Sequence, residues 1–399
     1  MASITKRGNS YRIRVSNGYD ENGKQQMRTT TWHPDPYKSD AENQAALEQF
    51  AYEFQQQTKG PVLHYKTQMT YREYVKQWLE TYAEQQMEQT SYACTANMLR
   101  LHVLPTLGEV KLAEITPLLL SSLYTELLMS GYLKNGTQHY YKASTIKRIH
   151  DSISSSLSTA TQWGLIDSNP CDKVKPPKMN KQIEPKHFNK EQSKTFLKAL
   201  DHPACNVSEQ MKVFYYMALY GGFRRGELIA LTWNDIDFKK NTVSITKSAA
   251  VVRGKQINKS PKNYTSIRIV NLPKSVMDML KTYKNSQTEH RLSIGNEWQG
   301  DNYVFIQRDG RQMHVDTPTK IFRRILRTHN SHSKNHLPLI SLHGLRHTSA
   351  TLLIAQHVDV KTVSARLGHA NTSTTLNIYA HSLKEMDSTA AKALASILD

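Results

Sequence analysis

SLHGLRHTSATLLIAQHVDVKTVSARLGHANTSTTLNIYAHS, residues 341–382, sets three kinds of chemical group in a fixed order. His343 and Arg346 come first, three apart in H-G-L-R-H. His369 follows in L-G-H, and Tyr379 lies ten residues further on in N-I-Y-A-H. Helical positions three apart share a face, so His343 and Arg346 can address one target. An arginine fork matches a phosphate, an imidazole can give or take a proton, and a phenolic oxygen can be a nucleophile. Those are the parts needed to break and rejoin a phosphodiester.

The composition agrees with that chemistry. A chain of 399 residues with 38% hydrophobic residues has room for two or three domains, each with a modest core. A net charge of +18 predicts attraction to a polyanion, nucleic acid foremost, against the blander reading of a solvated basic surface. Cys94, Cys171 and Cys205 form no C-x-x-C pair, which argues against a disulfide framework or a cysteine zinc site and fits a reducing compartment. The opening MASITKRGNSYRIRV has no apolar signal core. No run approaches the ~20 apolar residues of a membrane span. In the greasiest segment, Leu118 to Met129, Ser121, Ser122, Thr125 and Glu126 interrupt the apolar residues. The expectation is a soluble protein of the cytoplasm with no membrane partner.

Read in order, the chain predicts a multidomain protein, mainly α with small β-sheets. Residues 1–60 read as a three-stranded sheet followed by a helix. Tyr11 to Val15 alternates ring or aliphatic with arginine, Asn17-Gly18 and Asn22-Gly23 signal turns, and Gln25 to Trp32 is a further strand. Ser39 to Glu42 can cap a helix with Leu47, Phe50, Ala51 and Phe54 on one face. Lys6, Arg7, Arg12, Arg14 and Arg28 would give the strand face a positive character suited to a DNA groove, or merely keep a solvated sheet soluble.

Residues 61–175 read as a helical bundle. Thr70-x-x-Glu73 caps a helix carrying Tyr74, Val75, Trp78, Leu79 and Tyr82. Ser91 to Val103 predicts a second helix that stops before Pro105 and Gly108. Thr116-Pro117 starts a third, with Leu120, Leu123, Leu127 and Leu128 among its apolar members. Gly131 to Lys142 reads as a loop, and Ser144 opens a fourth helix with Ile146, Ile149, Ile153, Leu157 and Ala160 inward. Lys142, Lys147 and Arg148, near the start of that helix, can meet a phosphate backbone.

The stretch KVKPPKMNKQIEPKH, residues 173–187, holds three prolines, five lysines and one glutamate, and residues 176–187 are expected to be a basic linker. Lys173, Lys175 and Lys178 are candidates for contact with a duplex, or belong to a plain solvated tether. Residues 188–399 form an α+β domain. Asn189 caps its first helix, a second runs from Ser208 to Tyr220, and Glu227 to Trp233 continues in helix. Thr242 to Ile245 and Ile267 to Leu272 are strands, and after Ser275 the chain is mostly helical with a loop around Asn330 to Asn335.

Four separated pieces of this last domain carry a resemblance. They are G-G-F-R-R-G-E-L with Arg224, Arg225 and Glu227, then S-P-K-N-Y-T-S-I-R-I-V-N-L-P with Lys262, then H-G-L-R-H-T, then L-G-H-A-N-T-S-T-T-L-N-I-Y. In this order and spacing they resemble the tyrosine recombinase, or phage-type integrase, family, and the layout is similar to the integrases of conjugative transposons. The bundle ending in G-L-I-D-S-N-P resembles the family's core-site-binding domain, and the N-terminal unit its arm-site-binding domain. The resemblance implies that Tyr379 attacks the scissile phosphorus and forms a 3′-phosphotyrosyl link. It implies that Arg224 and Arg346 hold the non-bridging oxygens, Lys262 protonates the departing 5′-oxygen, His343 manages the tyrosine proton, His369 hydrogen-bonds the phosphate, and Glu227 braces the first arginine.

Elementary chemistry supports the same residue types. Cations must gather around a pentacoordinate phosphate, and a phenol of pKa about 10 needs a positive field to attack near neutral pH. The covalent intermediate retains the bond energy, so no cofactor, ATP or metal is expected. His343 and His347 lie four apart, but Gly344 stands where a zinc-protease helix needs glutamate.

Two departures from the family pattern matter. Gly221 stands where threonine is usual. The Arg224-Arg225 doublet leaves two candidates for one role, with Gly226-Glu227 favouring Arg224. Lys255 and Lys259 share the hairpin with Lys262, and the spacing to Arg268 and Pro273 favours Lys262. The apolar stripe Ala390, Ala391, Leu394, Ile397 and Leu398 is expected to form a tail helix, packed on its own domain or docked on a neighbouring subunit.

The resemblance further implies double-stranded DNA with core and arm sites as partner, a tetramer at synapsis, and a role for an excisionase and a host DNA-bending protein. Competing readings are a type IB topoisomerase and a non-catalytic DNA-binding regulator.

Overall fold

The computed structural model describes residues 2–19, 25–36, 38–58, 68–134, 137–178, 186–260, 267–369 and 376. The chain divides into two compact units, Met1–Asn180 and Lys181–Asp399.

The first unit opens with an antiparallel sheet of β1 (Ser3–Arg7), β2 (Ser10–Tyr19) and β3 (Gln25–Trp32), in that order, covered by α1 (Asp40–Thr58). Ile13 and Val15 pack with Leu47 and Ala51 of the helix, and Tyr11, Trp32, Phe50 and Phe54 close the margin. The Ser39–Glu42 capping box forms as expected, with the Glu42 carboxylate accepting the Ser39 N–H at 2.9 Å. Two expectations need correcting. The chain stays extended through Asn17-Gly18, where a shift of register between Ser16 and Tyr19 marks a bulge rather than a turn. Arg28 is the second. It stands opposite Val15, and Lys6 stands opposite Tyr11, so both belong to the face of Ile13 and Val15, whereas Arg12 and Arg14 pair with Thr31 and Thr29 on the other. The open basic face is therefore Arg7, Arg12 and Arg14, because side chains in a strand alternate and direct partners share a face.

The other described residues of this unit are mainly helical. α2 (Tyr71–Trp78) begins at a Thr70–Glu73 capping box and runs through a π-turn, Leu79–Ala83, into α3 (Glu84–Gln86). α4 (Gln89–Met98) runs through a second π-turn, Leu99–Val103, into α5 (Leu104–Leu107). Pro105 thus sits inside the helix it was expected to end. The turn ahead of it is widened, with Leu104 N–H bonded to Leu99 C=O, and Pro105 falls in the first turn of the next segment, where a missing donor is tolerated. α6 (Pro117–Ser130) starts at the Thr116 cap and α7 (Ala143–Gln162) closes the bundle. Residues 131–142, expected as a loop, contain a hairpin of β4 (Tyr132–Lys134) and β5 (Thr137–His139).

The core is the inner stripe of α7, Ile146, Ile149, Ile153, Leu157 and Ala160, against Tyr71, Tyr74, Trp78, Leu120 and Leu123. Ser156 ties α7 to α2 by accepting Tyr74 O–H at its carbonyl, 2.6 Å, and by a 2.7 Å bond with the Tyr71 hydroxyl. Asn169, in the D-S-N-P segment, donates its amide to the Ser154 carbonyl and the Ser158 hydroxyl of α7. Leu128, an apolar member of α6, is 37% exposed and lies outside this core.

The second unit has one large core. α8 (Lys190–Asp201), capped by Asn189 and Gln192, packs through Phe196 on Tyr215 of the long buried α9 (Glu209–Gly221) and on Phe322. α10 (Arg225–Ala230) is followed by a small sheet in the order β10 (Arg268–Asn271), β7 (Thr242–Ile245), β6 (Ile236–Asp237), beside a separate hairpin of β8 (Ser248–Val252) and β9 (Lys255–Lys259). α11 (Lys274–Ile294), α12 (Thr317–His332), α13 (Gly344–Ala355) and α14 (Val360–Leu367) follow among the described residues.

Residues 298–316 break the mostly helical stretch expected after Ser275 and are irregular apart from single bridges at Tyr303, Ile306 and Gln312. A Cβ on Gly300 would lie 2.1 Å from the Gly310 carbonyl oxygen, so two backbones meet there at a separation only glycine allows.

Leu157→Ala should cost about 2–5 kcal/mol of stability, and Leu128→Ala under about 0.5 kcal/mol, in urea unfolding followed by tryptophan fluorescence.

Candidate active site

Three separate segments of the second unit build the site: the α9–α10 junction, the start of α13 and the end of α14. α9 ends at Gly222, which adopts φ +63°. The chain then extends through Phe223 and Arg224 before α10 begins. Gly221 departs from the family's threonine for a visible reason. A Cβ there would lie 2.1 Å from the ring of Phe223, which is buried against the helix end.

Arg224 and Arg225 part company at this junction. Glu227 accepts both the Arg224 backbone N–H and its Nη1 at 2.8 Å, and Arg224 Nη2 donates to the Gly368 carbonyl at 3.0 Å. Arg225 turns the other way, donating to Asp316 at 2.9 Å and to the Thr319 hydroxyl at 3.1 Å.

The start of α13 supplies the second piece. Arg346 is 2% exposed. Its Nη1 donates to the Gly222 carbonyl at 2.7 Å and its Nη2 to the Leu367 carbonyl at 2.6 Å. His343 precedes the helix, and its ring meets that of His347 edge to face at 4.9 Å. The chain entering this unit is fastened to the same helix, since Phe188 N–H donates to the Thr348 hydroxyl at 2.9 Å.

The third piece is the end of α14. Asp359 caps the helix, and Gly368 ends it with φ +68°, the left-handed conformation that favours glycine. His369 N–H reaches back to the Ser364 carbonyl at 3.1 Å, which fixes where its side chain leaves the turn. Val363 and Leu367 pack on Ala350 and Ile354 of α13, so the two helices carrying His343, Arg346 and His369 share a small core of their own.

Glu227 is 4% exposed and joins these pieces. Burial pushes its carboxyl up, but hydrogen bonds and charge from Arg268, then from Arg224, outweigh that and hold it below the usual carboxylate range. The imidazoles move the opposite way. Burial first, then the positive charges of Arg346 and Arg224, lower His343, with Glu227 opposing. The same causes push His369 down to about 4, and burial with His343 and Arg346 pushes His347 to about 4. At neutral pH the site is therefore arginine cations beside neutral imidazoles. Such imidazoles can accept a proton, and the arginines can receive an anion.

Arg224, Glu227, His343, Arg346 and His369 thus come together. Lys262 and Tyr379 lie outside the described residues, as do the residues of the expected tail helix. Lys255 and Lys259 begin and end β9. In the first unit Lys142, Lys147 and Arg148 are exposed around the start of α7. There Lys147 pairs with Asp151 at 2.9 Å, and Arg148 donates to the Cys94 sulfur at 2.8 Å. Lys173, Lys175 and Lys178 are exposed. Among the described residues no three His, Cys, Asp or Glu side chains are grouped to hold a metal, and no helix is long and apolar enough to cross a membrane. The motif reading passed over Arg268 and Arg366. Arg268 served only as a spacing mark for Lys262, and nothing in the sequence marked Arg366.

The phage integrase family description matches residues 186–386, and that of the phage integrase N-terminal SAM-like domain matches residues 70–128. The chain is 27% identical over 406 residues to a XerC-like tyrosine recombinase of Caldanaerobacter subterraneus subsp. tengcongensis, covering 96% of this chain and 95% of that one. It is 32% identical over 240 residues to the ICEBs1 integrase of Bacillus subtilis, covering 59% of this chain and 61% of that one. Among solved structures it is similar to the Tn1549 transposon integrase, residues 82–397, in complex with a circular intermediate DNA. That likeness has a TM-score of 0.64 at 19% identity and covers 78% and 95% of the two chains. It is also similar to a lambda integrase dimer bound to a core site, with a TM-score of 0.55 at 14% identity over 94% and 93%. These structural likenesses establish the fold.

Stability should carry the signature of the depressed histidines. The unfolded chain takes up protons near the ordinary 6.5, whereas folded His347 and His369 resist until about 4. Their contribution is therefore intact above pH 6.5 and is lost as pH falls from 6.5 towards 4. In an NMR titration Arg346→Met should raise the pKa of His343 and His369, since a cation that opposes protonation is gone.

Proposed function

The chain belongs to the phage integrase family, and on that premise we propose that it is a site-specific DNA recombinase that cuts and rejoins DNA through a 3′-phosphotyrosyl intermediate and a Holliday junction. The observation that carries the reading is the convergence of Arg224, Arg346, His343 and His369 from three chain segments on one pocket braced by Glu227.

The reaction assigns each group a task. The Tyr379 oxygen attacks the scissile phosphorus, the bond to the 5′-oxygen breaks, and Lys262 supplies the proton that oxygen needs. Arg224 and Arg346 face the non-bridging oxygens, where charge grows in the transition state. A neutral His343 accepts the tyrosine proton, which its lowered pKa permits at pH 7. His369 donates a hydrogen bond to the phosphate. Arg224 takes the role of first arginine rather than Arg225, because Arg224 bonds the Gly368 carbonyl beside the Leu367 carbonyl held by Arg346, whereas Arg225 turns to Asp316 and Thr319. The released 5′-hydroxyl of a partner strand reverses the step, and no external energy source enters.

The partner is double-stranded DNA, and the active form is an oligomer, for which we propose a tetramer at synapsis. Residues 61–175 bind core sites, with Lys142, Lys147 and Arg148 at the phosphate backbone and Lys173, Lys175 and Lys178 following it. Residues 1–60 bind arm sites through the face of Arg12 and Arg14. The basic stretch 176–187 links them to the catalytic residues 188–399. The biological setting is integration and excision of a mobile element such as a conjugative transposon or prophage in a bacterial cytoplasm, with an excisionase and a host bending protein as accessory factors.

A nicked suicide substrate tests the reading. Tyr379→Phe should bind DNA as wild type and yield no covalent adduct, and an undiminished adduct would remove Tyr379 from its role. Arg224→Lys should slow adduct formation by about 10²–10³-fold, because a point charge cannot replace a fork. A similar loss in Arg225→Lys, with Arg224→Lys active, would transfer the role. Affinity should fall steeply with salt, log K changing by about 0.9 per log unit of salt for each phosphate contacted.

A further inference from the structure

We propose that Arg268 is a positioning residue for strand cleavage: it orients Arg224 through Glu227 and fixes the Gly368 turn that presents His369. The inference rests on the recombinase reading and names a residue outside the five that converge on the pocket.

Arg268 opens β10, and its side chain is 6% exposed. Its Nη2 and Nη1 donate to the two Glu227 oxygens at 2.8 and 3.1 Å, and its Nε donates to the Arg366 carbonyl at 2.7 Å. The guanidinium lies 5.9 Å from the centroid of the Phe223 ring, at the chain junction that carries Arg224. One planar group therefore touches the sheet, the carboxylate and the end of α14.

The bonds close into a ring. Arg268 holds Glu227, Glu227 holds the backbone and Nη1 of Arg224, Arg224 Nη2 holds the Gly368 carbonyl, and the same turn returns to Arg268 through the Arg366 carbonyl. A ring of directional bonds sets the angle of each fork, whereas a charge alone would set only a distance. Gly368 is shaped to the same end. A Cβ there would come within 3.0 Å of Arg268 Nη1, and φ is +68°. Lysine at 268 would keep the charge but could not meet both carboxylate oxygens and the Arg366 carbonyl at once. A carboxylate held by one contact lets Arg224 swing, and displacement of a catalytic group by about 1 Å can cost about 10²-fold in rate.

The electrostatics agree with the geometry. Burial raises the Glu227 carboxyl and Arg268 is the first of the groups that hold it down. Without that guanidinium the carboxyl protonates at higher pH and releases Arg224.

The test uses the full chain with a nicked suicide substrate at saturating DNA, comparing wild type, Arg268→Lys, Arg268→Gln, Glu227→Gln and the double variant of Arg268→Lys with Glu227→Gln. Single-turnover cleavage, DNA affinity and thermal melting are read on each. Arg268→Lys should melt cooperatively and bind DNA within about threefold of wild type, yet cleave about 10²-fold more slowly. The double variant should be no slower than the slower single variant, because both changes cut one relay. Arg268→Gln should lose rate at a higher pH than wild type as pH is lowered.

Equal cleavage by Arg268→Lys, or rate losses that multiply in the double variant, would overturn the inference. So would loss of cooperative melting in Arg268→Lys, since the residue would then serve the fold at large. A wild-type chain that forms no adduct removes the recombinase reading and this inference with it. A wild-type chain that does, beside an equally fast Arg268→Lys, removes this inference alone.

Discussion

Three consecutive carbonyls at the end of α14 each accept a hydrogen bond from a different arginine. Arg268 takes Arg366 C=O, Arg346 takes Leu367 C=O, and Arg224 takes Gly368 C=O. The last carbonyls of a helix have no partner within it and carry its partial negative charge, so cations are favoured there. Here the three arginines arrive from β10, α13 and the α9–α10 junction, and a helix end becomes the point where distant segments are registered. Arg366 adds the reverse connection, donating to the carbonyls of Tyr220 and Asn271. The turn holding His369 is thereby fixed to α9 and to the sheet.

The same arrangement sets the charge state of the pocket. Desolvation by the surrounding protein, followed by the nearby guanidinium charges, keeps the imidazoles neutral, and one buried carboxylate keeps the guanidinium groups aimed. Glu227 would be costly to bury alone, and Arg268 would be costly to bury without it. Each makes the other tolerable, and the pair leaves a net positive site. A phosphate entering such a site meets donors already oriented, and its charge would raise the neighbouring histidines towards the range in which they exchange protons.

Much of the local structure was legible because its causes are local. The boxes at Ser39–Glu42, Thr70–Glu73 and Asn189–Gln192 are formed by residues three apart, and each starts a helix. The inner stripe of α7 follows from its period alone. Readings failed where a second element decided. Arg28 looked like part of the basic face until the pairing with β2 placed it beside Val15. Pro105 looked like a stop until the π-turn before it absorbed the missing donor.

The division in the site is similar. The order of R-R-G-E, H-x-x-R and L-G-H along the chain names the chemical groups, since residue type fixes what a side chain can donate, accept or attack. The sequence by itself therefore determined which chemical groups the chain carries and the helices that hold them. Tertiary structure decided which of two adjacent arginines faces the pocket, because a carbonyl 144 positions away orients Arg224 while Asp316 engages Arg225. It also decided that Arg268 belongs to the site. Hydrogen bonds between residues 41 and 98 positions apart leave no periodic mark in the chain. They exist only once the core of the second unit has brought β10, α10 and α14 together.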